Sequence, residues 1–240
     1  MSAQDVTLVT GGSSGIGAAV VAARLAAGDH VVNLDRVAPS SAAGEFVEVD
    51  LADTAALREV LNEVTGRHAV TRVVNNAGVA LLDPLEEFDP EDFHRTLDIN
   101  VNAPALVAKA CIPAMKAVGF GRIVNMASRA ALGKTLRTAY AGSKGALISA
   151  TRVWALELAR HGITVNAIGP GPIETELFTR ANPPDSPVTA QIRDAIPVGR
   201  MGQPEDIAHA VDFFLSRGSG FVTGQVLYAC GGMTIGVAPT

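Results

Sequence analysis

Short apolar runs and longer helix-like stretches alternate along almost the whole chain. Val6–Thr10, Val31–Leu34, Phe46–Val49, Arg72–Asn75, Ile123–Met126, Thr164–Ile168 and Val226–Ala229 are four or five residues long and mostly Val, Ile or Leu. Several are apolar at consecutive rather than alternate positions, which marks strands covered on both faces. Between them, Ile16–Ala27, Ala55–Val64, Phe93–Ala117, Tyr140–Arg160 and a segment opening near Pro204 predict helices, with Gly28 and Gly162 as stop signals. The long Phe93–Ala117 stretch reads as one buried helix despite Pro104 and Pro113. Repeated β-α units predict an α/β fold, a doubly wound parallel sheet of about seven strands with helices on both faces.

Two segments depart from that rhythm. Arg36–Glu45 is too short for a crossover helix and predicts a loop. Gly169–Arg200, rich in Pro, Gly and small polar residues, reads as a long irregular segment, a lid over a site, with Leu177 and Phe178 as apolar contacts to substrate or to the core.

Length and composition fit one domain spanning residues 1–240, with 48% apolar and 18% charged residues. A net charge of −5 gives no footprint for nucleic acid or anionic membrane, so small-molecule chemistry is the default. No apolar run without charge reaches spanning length and no signal-like start is seen, so the expected location is the cytoplasm. Cys111 and Cys230 form no disulfide framework, and the five histidines show no metal-ligand spacing; both types read as structural, and no metal is expected.

Candidate chemistry clusters after the strands. Thr10-Gly11-Gly12-Ser13-Ser14-Gly15-Ile16-Gly17 joins the first strand to the first helix. Glycines there permit a tight turn, close approach to a pyrophosphate and close helix–strand packing, while the helix start supplies free N–H groups. Asp35 ends the second strand about 20 residues on, where a carboxylate can accept from a ribose diol and repel a 2′-phosphate, so NAD is favoured over NADP. Arg36 beside it works the other way, since a guanidinium can hold phosphate. Asp50 and Leu51 could meet the adenine or simply precede a helix N-cap.

Tyr140 and Lys144 stand one helical turn apart, so a cation could lower the phenol pKa toward that of a usable base. Taken alone, the pair could equally be a solvated helix face. Ser128 ends the fifth strand at the edge where ligands bind in open α/β sheets, although serine also forms turns. Asn100 sits inside an apolar helix, either satisfying backbone near Pro104 or anchoring a water.

Together, Thr10–Gly17, Asn75-Asn76-Ala77-Gly78, Asn100, Ser128, Tyr140-x-x-x-Lys144 and Pro170-Gly171 resemble, in order and over the whole chain, the motifs of the short-chain dehydrogenase/reductase family. The resemblance implies a Rossmann-type NAD(P)(H) oxidoreductase with an Asn100-Ser128-Tyr140-Lys144 tetrad. It implies that Asn76, Ala77 and Gly78 touch the cofactor, that Pro170, Ile173 and Thr175 line the nicotinamide, and that Lys144 holds its ribose. The implied substrate is a secondary alcohol or ketone, and the implied assembly a homotetramer. The alternatives are a 3-oxoacyl-acyl-carrier-protein reductase using NADPH and a non-catalytic NAD(H) sensor. Two features differ from the commonest pattern: the Ser128–Tyr140 interval is one residue shorter and carries Arg129, Lys134 and Arg137, predicting a basic substrate mouth, and Cys230 stands where many relatives have aspartate.

Overall fold

Adjacent strand residues point to opposite sides, and here both sides are buried. In the computed structural model, which describes residues 4–40, 44–183 and 185–236, Leu8, Val73 and Ile123 face one core and Val9, Val74 and Val124 the other. The strands are β1 (Val6–Thr10), β2 (His30–Asp35), β3 (Glu45–Glu48), β4 (Arg72–Asn75), β5 (Gly121–Met126), β6 (Ile163–Ile168) and β7 (Val226–Leu227). All pair in parallel in the order β3-β2-β1-β4-β5-β6-β7, with the reversal of direction between β1 and β4. That is the single doubly wound Rossmann-type sheet the sequence pattern implies.

Helices cover the two faces. On one side α1 (Gly15–Ala26) and α8 (Pro204–Leu215) supply Val20, Val21, Ile207, Val211 and Phe214. On the other, α2 (Thr54–Arg67), α4 (Ala103–Val118) and α5 (Thr138–Leu158) supply Leu57, Leu61, Val107, Met115 and Leu158. Each fully buried Val, Leu or Met side chain contributes about 1.5–3 kcal/mol by leaving water. Asp53 caps α2 by accepting from the N–H groups of Ala55 and Ala56. Cys111 lies fully inside the core, where burial pushes its thiol up to about 12, and is inert.

Two local expectations are revised, and one contact was not foreseen. The stretch read as one helix is α3 (Pro90–Leu97), a π-helical turn over Asp98–Asn102 and then α4. As a run, Pro90–Val118 is long and apolar enough to span a membrane by composition, but α4 packs on β4 and β5 within the core. The irregular Gly169–Arg200 segment contains two short helices, α6 (Glu176–Ala181), capped by Thr175, and α7 (Pro187–Asp194), capped by Ser186. Ser/Thr caps and Pro at N1 signal such helices, but each is too short for its periodicity to register against the Pro/Gly content. Phe178 is half-buried there, while the Leu177 side chain lies outside the described residues. Finally, His30 and His68, 38 positions apart in sequence, stack at 4.7 Å around Glu45.

Candidate active site

The loops leaving the carboxyl ends of the strands meet at one edge. After β1, the glycine turn is held from below: Asn33 accepts from Gly12 N–H at 2.9 Å and donates to Ser13 Oγ, and Asn76 donates to the carbonyls of Thr10 and Gly11. Thr10 Oγ1 accepts from the N–H groups of Asn76 and Ala77, tying the β1 and β4 loops together. Asn33 lies on β2 inside an apolar run, and nothing in the sequence pattern signalled its support of the turn. A Cβ on Gly17 would sit 1.9 Å from the Gly11 carbonyl oxygen, so only glycine lets α1 start against the strand. Ser14, at the N-cap of α1, makes no side-chain cap bond, leaving first-turn N–H groups to face an anion.

Asp35 stands at the tip of β2 with one oxygen accepting from Ser13 N–H at 3.1 Å and the other from Val37 N–H at 3.3 Å. Its carboxylate is thereby fixed beside the glycine turn, with Arg36 exposed next to it. Asp50 is exposed and accepts from Ala52 N–H, whereas Leu51 is buried in the core. Pro170 accepts from Arg129 N–H through its carbonyl, Ile173 is buried, and Thr175 approaches Gly15 closely enough that a Cβ there would lie 3.1 Å from the threonine methyl.

The four chemical residues converge on the same edge. Asn100 occupies the π turn and is fully buried; its Oδ1 accepts from Val79 N–H at 2.9 Å, and its Nδ2 donates to the Val79 carbonyl and to Ser143 Oγ. The widened turn is what lets a buried amide reach the β4 loop. It satisfies backbone at Val79, while the Pro104 carbonyl receives a bond from Asn75, the start of a buried chain through Asn125 to Thr151. Gly78 is small by necessity here: a Cβ would lie 3.1 Å from both Asn100 Oδ1 and Lys144 Nζ. Lys144 is 3% exposed and donates to the Met126 carbonyl at 2.7 Å, and burial pushes its ammonium down to about 8.

Ser128, after β5, accepts from Ala130 N–H and starts a 3-10 turn over Arg129–Leu132. Tyr140 lies in the first turn of α5. Burial pushes its phenol up, while a hydrogen bond with Ser128 and the charge of Arg137 pull it down, with burial the stronger. Arg137, three residues earlier, thus adds a second cation beside the phenol to the Lys144 that the helical spacing places there. Lys144 Nζ stands 5.8 Å from the Tyr140 ring centre, and one of its three N–H groups donates to the Met126 carbonyl. The sequence reading placed Arg137 in a basic mouth without assigning it this influence.

A phenol, a hydroxyl, a buried ammonium and a buried amide beside a phosphate-type loop can exchange a proton with a substrate oxygen next to a dinucleotide. Comparisons with known proteins bear on that chemistry. A family model described as enoyl-(acyl carrier protein) reductase matches residues 11–234. L-xylulose reductase of Mesocricetus auratus is 37% identical over 237 residues, 95% of this chain and 96% of that protein. The NAD-dependent glycerol dehydrogenase of Listeria innocua is 35% identical, covering 96% and 94%. A gluconate 5-dehydrogenase from Burkholderia cenocepacia, solved with NADP and tartrate, superposes with a TM-score of 0.90 at 33% identity, covering 97% and 96%.

The chain belongs to the short-chain dehydrogenase/reductase family. As a short-chain dehydrogenase/reductase it is an NAD(P)-dependent oxidoreductase acting on small alcohols or their carbonyl counterparts. The uncapped α1 start, brought close against the strand by Gly17, and the fixed Asp35 carboxylate fit the pyrophosphate and ribose of that cofactor.

Proposed function

We propose that the protein transfers a hydride between NAD(H), in preference to NADP(H), and a secondary alcohol or ketone, using Asn100, Ser128, Tyr140 and Lys144 as its catalytic set. The observation that carries the reading is the position of Tyr140: a half-buried phenol at the ligand edge of the sheet, near enough to Ser128 for the serine to favour its phenolate form, and 5.8 Å from the buried Lys144 ammonium. The nicotinamide supplies the hydride chemistry when bound. Tyr140 takes the hydroxyl proton in oxidation and returns it in reduction, and Ser128 positions the substrate oxygen by hydrogen bonding. Lys144, held by the Met126 carbonyl, places a titratable cation under the nicotinamide ribose position, and Asn100 fixes the turn and loop that enclose it. Gly11, Ser13, Ser14, Gly15, Ile16 and Gly17 cradle the pyrophosphate; Asp35 accepts from the adenosine ribose; Asp50 and Leu51 border the adenine; Asn76, Ala77, Gly78, Pro170, Ile173 and Thr175 enclose the nicotinamide half.

The preference for NAD rests on Asp35, whose charge faces the place a 2′-phosphate would occupy. The basic segment after Ser128 supports a second reading, a 3-oxoacyl-carrier reductase using NADPH, which Asp35 opposes. Exposed Val153 and Leu156 on α5, and Phe221, Leu227 and Ile235 near the carboxyl end, support self-association, for which the family resemblance implies a homotetramer. The cytoplasm is the proposed location. A panel of secondary alcohols, ketones and a 3-oxoacyl thioester, each assayed for nicotinamide absorbance with both cofactors, tests the reading. Turnover of alcohol or ketone with NAD(H) at least about tenfold better in kcat/KM than with NADP(H) is expected, an advantage of ~1.4 kcal/mol. Equal or better use of NADP(H) would overturn the cofactor assignment, and turnover of the thioester alone would move the substrate assignment to the second reading.

A further inference from the structure

Between Ser128 and Tyr140 the chain carries three cations and no acid: Arg129, Lys134 and Arg137. Arg129 follows the serine directly, and its backbone N–H is held by the Pro170 carbonyl at 3.2 Å, so the start of the segment is pinned to the β6 loop. Arg137 is the N-cap residue of α5, and its guanidinium reaches back only to the Thr135 carbonyl, at 3.2 Å. Leu136, between them, is the one non-glycine with positive φ (61°) among the described residues, a strained conformation that sets Arg137 at the helix start. No acidic residue lies in the first turn of α5. None of the three cations makes an ion pair with a carboxylate among the described residues; the ion pairs there engage Arg24, Arg67, Arg72, Arg200, Arg217, His30 and His68 instead.

The three groups also feel one another. Burial pushes the Lys134 ammonium down, and the charges of Arg137 and Arg129 push it further; Arg137 is likewise pushed down by burial and by Arg129. Like charges gathered without a counter-ion destabilise a fold unless an anion completes the cluster. Asp83, Asp89 and Asp92 line a cleft that Thr138 and Ala139 also line, and none of them makes an ion pair with the three cations.

We infer that the substrate carries a carboxylate or comparable anionic group, bound by Arg137 with Arg129 and Lys134 beside the reacting carbon. Arg137, the N-cap residue, stands three residues before Tyr140, and its charge acts on the Tyr140 phenol. The anionic group therefore sits within a few bonds of the carbinol, which makes the substrate a short hydroxy acid or the matching oxo acid. This rests on the proposed oxidoreductase reading and names its substrate class. A guanidinium suits the role because it presents a planar pair of donors to a carboxylate and stays charged at every working pH.

The test compares each acid with its own primary amide, which keeps the shape and removes the charge: 3-hydroxybutyrate, lactate and gluconate against 3-hydroxybutyramide, lactamide and gluconamide. The acid of at least one pair is expected to exceed its amide in kcat/KM by about 30-fold or more, mostly through KM. Arg137→Gln is expected to shrink that ratio to within about threefold, and Arg129→Gln with Lys134→Gln to shrink it partly. Titration of succinate into the protein with NAD+ present reads the same site without turnover, with affinity expected to fall at least about tenfold in Arg137→Gln. Arg137→Lys is expected to restore part of both effects, and thermal midpoints report whether each variant is folded. Amides used as well as acids, or an acid preference that survives in folded Arg137→Gln, would overturn the inference while leaving the oxidoreductase intact. Equal loss on acid and amide would also overturn it, assigning Arg137 to the phenol alone. Absence of turnover on every pair, with no succinate binding to the wild type, would overturn the inference, while the panel of alcohols and ketones decides the oxidoreductase reading separately.

Discussion

At the amino ends of the strands, Asp5, Asp29, Arg24, Arg72 and Arg217 close on one another, whereas at the carboxyl ends Arg129, Lys134, Arg137 and Lys144 have no carboxylate in contact among the described residues. Arg72 reaches Asp5 at 2.7 Å and Asp29 at 3.6 Å, and Arg24 reaches Asp29 at 2.9 Å, with Arg72 and Asp29 almost wholly buried. Arg72, Arg122 and Arg217 also gather over the Phe120 ring. At β3, Glu45 receives His30, His68 and Arg67, whose hydrogen bond and charges outweigh the effect of burial and lower its pKa. One edge pairs Arg24, Arg67, Arg72 and Arg217 with carboxylates and satisfies Arg122 with backbone carbonyls, all from within the chain. The other leaves cations and half-buried hydroxyls open at the place where parallel sheets bind ligands. Charge that is answered internally serves the fold; charge held without an answer is kept for something that arrives.

The largest expected break in the comparison is at the paired edge. Asp29→Asn leaves Arg24 and Arg72 without their shared partner and is expected to cost about 3 kcal/mol, lowering the thermal midpoint by about 6–12 °C, while kcat/KM of the folded fraction stays close to wild type. A large loss of kcat/KM at temperatures where the variant is folded would show that this edge serves more than stability.

At the open edge the sign reverses. Lys144 is protonated in the unfolded chain up to its ordinary value of 10.5 but in the fold only to about 8, so between those pH values the unfolded state holds the extra proton and stability rises with pH. Below about 8 the buried charge is a full cost. Lys144→Met is therefore expected to abolish most turnover yet raise the thermal midpoint at pH 7 by about 2–4 °C, a gap that narrows from pH 8 upward. A lower midpoint at pH 7 would mean that the bond to Met126 outweighs the desolvation of the ammonium.

The smallest effect concerns the cofactor. Asp35→Ala should reduce the NAD(H)-over-NADP(H) ratio by about tenfold, as repulsion and one ribose bond are lost together. It should also loosen the glycine turn slightly, because the Ser13 N–H loses its acceptor. An unchanged ratio would move discrimination to Arg36.

Much of this architecture was legible in the chain. Alternating β-α runs yielded the parallel sheet, and the seven strands lie within two residues of their expected limits, because strands covered on both faces leave an unmistakable apolar run. The glycine turn and Tyr140-x-x-x-Lys144 were legible because their spacing is local. What escaped was long-range or energetic. The π turn at Asp98–Asn102 adds no breaker to an apolar pattern, yet it sets Asn100 against Val79. Asn33 carried no signal in the pattern and Asn75 was legible only as part of the Asn75–Gly78 motif, yet they hold the glycine turn and a buried amide chain. The influence of Arg137 on the Tyr140 phenol could not be read from i, i+4 spacing, because Arg137 precedes the helix as its N-cap residue.

The central claim is that the open edge carries out proton transfer through Tyr140. Turnover of Tyr140→Phe on the best substrate, measured beside the NADH dissociation constant from nicotinamide fluorescence, tests it most directly. A loss of at least about a hundredfold in kcat with the dissociation constant within about twofold of wild type is the predicted result, since only the hydroxyl is removed. A folded variant that keeps a substantial fraction of wild-type kcat would contradict the account.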